Sequence, residues 1–149
     1  NIQELNLKET LDEIVINKKK PILGICLGFQ LMCTSSTEFG FTNGLNWILG
    51  DLNEFKKNKT DDKTLHIGWN EVKFTKENIL FENIENNSLF YFVHKYYLRI
   101  DNNDKIASSF FNEDFTSVIN KNNIFGVQFH PEKSQKNGLT LLNNFITKT

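Results

Sequence analysis

The stretch Pro21-Ile-Leu-Gly-Ile-Cys-Leu-Gly-Phe-Gln30 decides how this chain folds. Pro21 introduces a short apolar run, as a strand buried on both faces requires. Residues 27–33 then follow a helical pattern, with no polar capping residue in front of them. A strand that becomes a helix without a loop forces its junction residue into a strained turn, so small residues must flank it. Gly24 and Gly28, two positions on either side of Cys26, meet that demand. The elbow lifts the thiol above the sheet and sets it at a helix N-terminus, where free amides and the dipole favour the thiolate and lower its pKa. The amide of Leu27 becomes a natural oxyanion donor. Most free cysteines are small buried hydrophobes, and Cys33, on the same helix without a flanking glycine, reads as one.

Downstream, Phe125-Gly-Val-Gln-Phe-His-Pro-Glu132 works by a different period. Residues 124–129 alternate and are β-rich, which predicts a strand, and Asn122-Asn123 makes a hairpin turn after a strand at 115–119. Pro131 stops strand pairing directly after His130. Extended residues two apart point the same way, so Glu132 is expected to reach the His130 ring and fix its tautomer. Cys26, His130 and Glu132 together supply a nucleophile, a base and an orienting carboxylate for acyl transfer. His66 and His94 have no such partner nearby in sequence. Without a second cysteine or histidine at ligand spacing, neither a metal site nor a cofactor is expected.

Gly24-Ile-Cys-Leu-Gly-Phe-Gln30 with Gln128-Phe-His-Pro-Glu132 resembles the class I glutamine amidotransferases, whose triad runs Cys, His, Glu in chain order. Gly44-Leu-Asn-Trp-Ile-Leu-Gly50, Leu65-His-Ile-Gly-Trp-Asn-Glu-Val72 and Phe90-Tyr-Phe-Val-His-Lys-Tyr96 narrow the resemblance to glutaminase subunits of imidazole glycerol phosphate synthase, from about residue 20 to the C-terminus. The resemblance implies that Cys26 attacks the side-chain amide of L-glutamine, that His130 protonates the departing ammonia, and that water then hydrolyses the thioester. It further implies that Gln30, Leu27, Lys95 and Tyr96 bind substrate, Lys95 standing where relatives usually carry a small hydroxyl residue. A barrel-shaped cyclase of histidine biosynthesis is the implied partner in a heterodimer, with His66, Trp69, Asn70 and Lys133 as interface candidates. A related subunit that delivers ammonia to a nucleotide-linked sugar fits the same motifs, because acceptor identity lives in the partner. Cysteine hydrolases of the α/β-hydrolase kind share the elbow, but they place the acidic residue well before the histidine.

Composition bounds these readings. A chain of 149 residues, 39% hydrophobic, is long enough for one domain with a real core. A net charge of −1, with no basic run beyond Lys18-Lys19-Lys20, offers no footprint for nucleic acid. Two cysteines at helical spacing do not readily bridge, which fits a reducing cytoplasm, and no run of about 18 apolar residues predicts a membrane span. Apolar spacing predicts an amphipathic helix over 2–17, strands over 45–55, 65–74, 89–100 and 106–111, charged loops over 56–63 and 82–88, and a closing helix over 138–147 with Leu139, Leu142 and Phe145 inside. The expected fold is α/β: a flavodoxin-like, class I amidotransferase-like sheet with parallel central strands and antiparallel ones, flanked by helices, in a single domain spanning residues 1–149.

The chain begins at Asn1, and the resemblance implies a further segment before this point, with the first strands of the sheet and a glycine-rich oxyanion loop. An N-terminally incomplete domain is therefore expected. Loss of one oxyanion donor costs about a hundredfold to a thousandfold in rate, so an inactive binding module is the alternative to an active glutaminase.

Overall fold

In the computed structural model, which describes residues 2, 5–57 and 64–149, a short helix α1 (Leu7–Asp12) passes into a π-helical turn over Glu13–Asn17. The amphipathic pattern over 2–17 foresees this segment, although the regular helix is shorter and residues 3 and 4 lie outside the described ones. Next come β1 (Ile22–Ile25), α2 (Leu27–Leu31), a small hairpin of β2 (Ser35–Ser36) and β3 (Thr42–Asn43), and β4 (Leu52–Glu54). Beyond them lie β5 (His66–Phe74), β6 (Ser88–His94), β7 (Tyr96–Leu98), β8 (Lys105–Phe111), β9 (Glu113–Lys121), β10 (Ile124–Val127) and α3 (Gln135–Lys148). Of the charged loop expected over 56–63, residues 58–63 lie outside the described ones.

Among the described residues, one eight-stranded sheet runs β1-β10-β9-β8-β5-β6, with β4 and β7 attached beside β9. β1 and β10 pair in parallel, whereas the other strand pairs of this sheet are antiparallel, so the expected parallel centre is a single pair at one edge. Asn122 and Asn123 do link β9 to β10 as a tight hairpin, with Ile124 opposite Lys121 and Asn122 at a φ of 55°. The fold is mixed α/β, as expected, with few helices.

Two strand expectations fail for identifiable reasons. Residues 45–48 are not extended. The amides of Leu45, Trp47 and Ile48 bond instead to the carbonyls of Leu31 and Met32, satisfying the open end of α2. Only β4 survives of the strand expected over 45–55. The apolar run 89–100 breaks at Lys95, where the chain changes partners: β6 pairs with β5, and β7 with β4 and β9.

Alternating side chains send the sheet's two faces into separate cores. Phe125, Val127 and Val118 join a phenylalanine-rich cluster that includes Phe55, Phe90, Phe92, Phe115 and Leu141 of α3. Ile124 and Ile119 face the opposite way, onto Val15, Phe29, Met32 and Cys33. In α3 the inner face carries Gly138, Leu141 and Asn144, while Leu139, expected inside, is exposed. That face follows from the close approach of Gly138, whose Cβ, if present, would lie 1.9 Å from the Pro131 carbonyl oxygen.

Candidate active site

Cys26 occupies the junction between β1 and α2 with φ 48° and ψ −104°, a conformation that costs a non-glycine residue about 1–3 kcal/mol. Two backbone bonds hold it there. The Cys26 amide donates to the Val127 carbonyl at 2.8 Å, and the Gln30 amide donates to the Cys26 carbonyl at 3.0 Å. Gly24 has the steric role assigned to it: a Cβ there would stand 2.7 Å from the Phe29 nitrogen and 2.7 Å from Met32 Cε. Gly28 does not, since a Cβ at that position meets nothing within 4 Å. Gly24→Ala is expected to destabilise the fold by about 1–3 kcal/mol, whereas Gly28→Ala, in a helix with open space at its Cβ, should leave stability unchanged or raise it by up to about 1 kcal/mol; urea midpoints of the two variants check the contrast.

The thiol sits between a donor and an acceptor. Its S–H faces the Val93 carbonyl at 3.7 Å, and Gln128 Nε2 donates to the sulfur at 3.7 Å. Burial pushes the Cys26 thiol up from its ordinary pKa, the opposite of the expected depression. The Leu27 amide and the Gln128 side chain pull it down, while the negative charges of Glu132 and Glu38 push it up further. With α2 only five residues long, the helix terminus is outweighed by desolvation. Ionisation of Cys26 therefore calls for a base at hand. Cys33 is fully buried and its thiol is pushed up to about 12, consistent with the inert core residue expected.

The parallel register brings the second half alongside. Ile25 is opposite Val127, so the chain leaves both strands at the same end, with Cys26 beside Gln128 and His130 two residues on. His130 is held through its backbone, its amide donating to the Tyr91 carbonyl at 2.8 Å and its carbonyl accepting from Ser134 Oγ at 2.6 Å. Its Nδ1 lies 2.7 Å from Glu132 Oε1, as expected. The route differs from the extended one foreseen: Pro131–Lys133 form a 3-10 turn that swings Glu132 back under the ring. With Nδ1–H given to the carboxylate, Nε2 keeps a lone pair, and among the described residues it has no hydrogen-bond partner. Because this turn packs on Gly138, Gly138→Ala should shift Glu132 and cost about 1–3 kcal/mol, with a weakened His130–Glu132 bond visible in the His130 ring nitrogen shifts.

The remaining candidates divide by where the fold puts them. Gln30 is buried, and its Nε2 donates to the Tyr96 carbonyl at 2.9 Å and to Gln128 Oε1 at 3.2 Å. Lys95 is exposed and pairs with Glu54 at 2.7 Å, while the Tyr96 side chain is buried. Trp69 and Lys133 share an exposed patch, both touching Tyr91, Trp69 edge-on at 6.0 Å and the Lys133 ammonium 5.9 Å from the ring centre. His66, one of the interface candidates from the sequence, is 4% exposed and stacks between Phe92 and Phe111. Its neighbours fix the protons. His94 Nδ1–H donates to the Tyr96 carbonyl at 2.9 Å, His66 Nδ1–H donates to His94 Nε2 at 2.9 Å, and Asn70 Nδ2 donates to His66 Nε2 at 3.1 Å. Asn70 is thereby turned inward.

Gln128, Tyr91 and Val93 lie within the motifs quoted from the sequence, but nothing local marks them, or Ser134, as site residues. Nothing in a local pattern says that a strand carbonyl at Val93 will stand over a thiol 67 positions earlier.

Comparison with known proteins supplies the family. The family described as glutamine amidotransferase class-I matches residues 2–149. The chain is 46% identical over 147 residues to the imidazole glycerol phosphate synthase subunit HisH of Leptospira borgpetersenii, covering 97% of this chain and 72% of that protein. It is 46% identical over 148 residues to HisH 2 of Methanococcus maripaludis, covering 98% and 72%. Among solved structures, the glutaminase domain of Trypanosoma brucei CTPS superposes with a TM-score of 0.64 at 16% identity, over 95% of this chain and 66% of that one, a likeness of fold. The matched family, the extent of the match and the shared fold place this chain in the class-I glutamine amidotransferase family.

Proposed function

We propose that this protein is the glutaminase subunit of an imidazole glycerol phosphate synthase, hydrolysing L-glutamine to glutamate and ammonia for a cyclase partner in histidine biosynthesis. The observation that carries the chemistry is the strained Cys26 elbow at the same sheet end as a His130–Glu132 pair whose Nε2 has no partner among the described residues. His130 Nε2 takes the Cys26 proton as sulfur attacks the amide carbon, and the Leu27 amide faces the developing oxyanion. The imidazolium then protonates the departing nitrogen, which leaves as ammonia. Water, deprotonated by the same Nε2, opens the thioester, glutamate departs and the thiol is restored. Glu132 holds the ring and offsets its positive charge throughout. Gln30 and Tyr96 serve the substrate side indirectly, since the Gln30 amide and the Tyr96 carbonyl are already engaged with each other, and the Lys95 side chain is paired with Glu54. Release of glutamate from L-glutamine, measured on the protein with and without its cyclase subunit, tests the reading. No release in either condition would overturn it.

The choice of acceptor is supported by the HisH relatives at 46% identity, in place of a sugar-modifying partner. Free ammonia is mostly ammonium at neutral pH, so the site works against a docked, barrel-shaped acceptor enzyme in a cytoplasmic heterodimer. Trp69 and Lys133 form the docking anchor around Tyr91. Trp69→Ala should weaken the complex about tenfold or more while leaving the thermal midpoint of the isolated subunit nearly unchanged. Titration calorimetry with the cyclase subunit reads the first quantity, and an unchanged affinity would remove Trp69 from the interface.

A further inference from the structure

Gln128 is fully buried directly after β10, with its side-chain amide spanning the space between Gln30 and Cys26. The two ends of an amide are chemically opposite, so whatever fixes one end fixes the other. Gln30 Nε2 can only donate, and it is itself aimed by the Tyr96 carbonyl, which can only accept. The end of Gln128 that meets Gln30 must therefore be its oxygen, at 3.2 Å, and the end that meets the sulfur must be its N–H. The Tyr96 carbonyl accepts a second bond from His94, which ties this polarity to the buried histidine pair.

The other polar neighbour of the thiol behaves differently when the proton leaves. Val93 presents a carbonyl oxygen, which accepts from S–H but repels a thiolate. Gln128 presents a donor, which attracts a thiolate more strongly than a thiol. We propose that Gln128 is a positioning residue for the Cys26 nucleophile, its side-chain N–H holding the sulfur and favouring the ionised form, with Gln30 enforcing the direction of that amide. The inference rests on the reading of Cys26 as the attacking group and gives Gln30 an orienting role in place of a direct substrate contact. Among the influences on the thiol, the Gln128 bond acts against desolvation, in the direction that this role requires.

The test is the pH dependence of Cys26 alkylation by iodoacetamide, followed by peptide mass mapping so that Cys33 is read separately. Gln128→Met keeps the bulk and removes the donor; Gln128→Glu puts a carboxylate oxygen toward the sulfur. Both should lower the alkylation rate at pH 7.5, the first by about tenfold and the second by more. Gln30→Met, which does not touch the sulfur, should move the profile the same way by a smaller factor. Profiles that coincide with the wild type in folded Gln128 variants would overturn the proposal. Failure of both Gln128 variants to fold would overturn it too, by making the residue a structural one. Alkylation does not involve glutamine, so this result is independent of whether glutamate release is found.

Discussion

Replacing Cys26 with alanine will reduce glutamate release from L-glutamine by about 10⁴-fold or more, to the level left by binding and the Leu27 amide alone. The size of the effect follows from the absence of a substitute among the described residues around the elbow. Cys33 is fully buried, with its thiol pushed up to about 12, and it packs against Phe29 and Met32 on the far side of α2. A serine at position 26 should fare little better. Its hydroxyl is far less acidic than a thiol, and the surroundings that already push the Cys26 thiol up would oppose an alkoxide more strongly. The fold should survive, because the bonds pinning residue 26 are backbone bonds to Val127 and Gln30. Glutamate release that persists in a folded Cys26→Ala variant would remove the thiol from the mechanism. His130→Asn should cost about 10²–10⁴-fold by the same assay, since attack would still be possible without a proton acceptor at Nε2.

The second large effect is on stability and comes from the buried histidine pair. Burial pushes His66 down to about 4 and His94 down to about 3, with each ring's proton already committed within the Asn70–His66–His94–Tyr96 chain. The unfolded chain takes up protons at both rings near pH 6.5, whereas the folded one stays neutral there. Their stabilisation is therefore complete above that pH and is lost progressively as pH falls toward the folded values. At pH 5 each ring should have surrendered about 2 kcal/mol relative to neutral pH, about 4 kcal/mol together. Urea unfolding at pH 7.5, 6 and 5 reads this loss as a falling midpoint. His66 and His94 should keep neutral ring shifts down to pH 5. A flat midpoint, or either of these two rings titrating near 6.5, would contradict the arrangement. The rings around the pair are Phe55, Phe92, Phe111 and Phe115, which offer no charge to compensate a proton.

Both results bear on what could be read from the residue string. The strand-to-helix elbow was legible because it is a local steric problem: a helical pattern starting directly after an apolar run leaves one residue in a strained turn, and Gly24 clears the contact. The His130–Glu132 bond was legible for a similar reason, being only two residues long, although a 3-10 turn closes it and not an extended strand. The strand expected over 45–55 shrinks to β4 because apolar character cannot distinguish a strand from a loop that caps a helix and buries Trp47 and Ile48. Leu139 lies outside because Gly138, through a close approach that apolar spacing does not reveal, sets the inner face of α3.

The order of side chains thus established which reactive groups exist, where the nucleophile turns, and that a carboxylate accompanies the imidazole. Each of these depends on atoms within a few residues of one another. The fold settled everything that depends on distant segments meeting: that β1 and β10 run parallel and end side by side, that Gln128 and Val93 flank the sulfur, and that His66 lies inside. It also reversed the expected direction of the thiol's pKa, because the dipole of a five-residue helix acts locally while desolvation gathers from every element packed around Cys26.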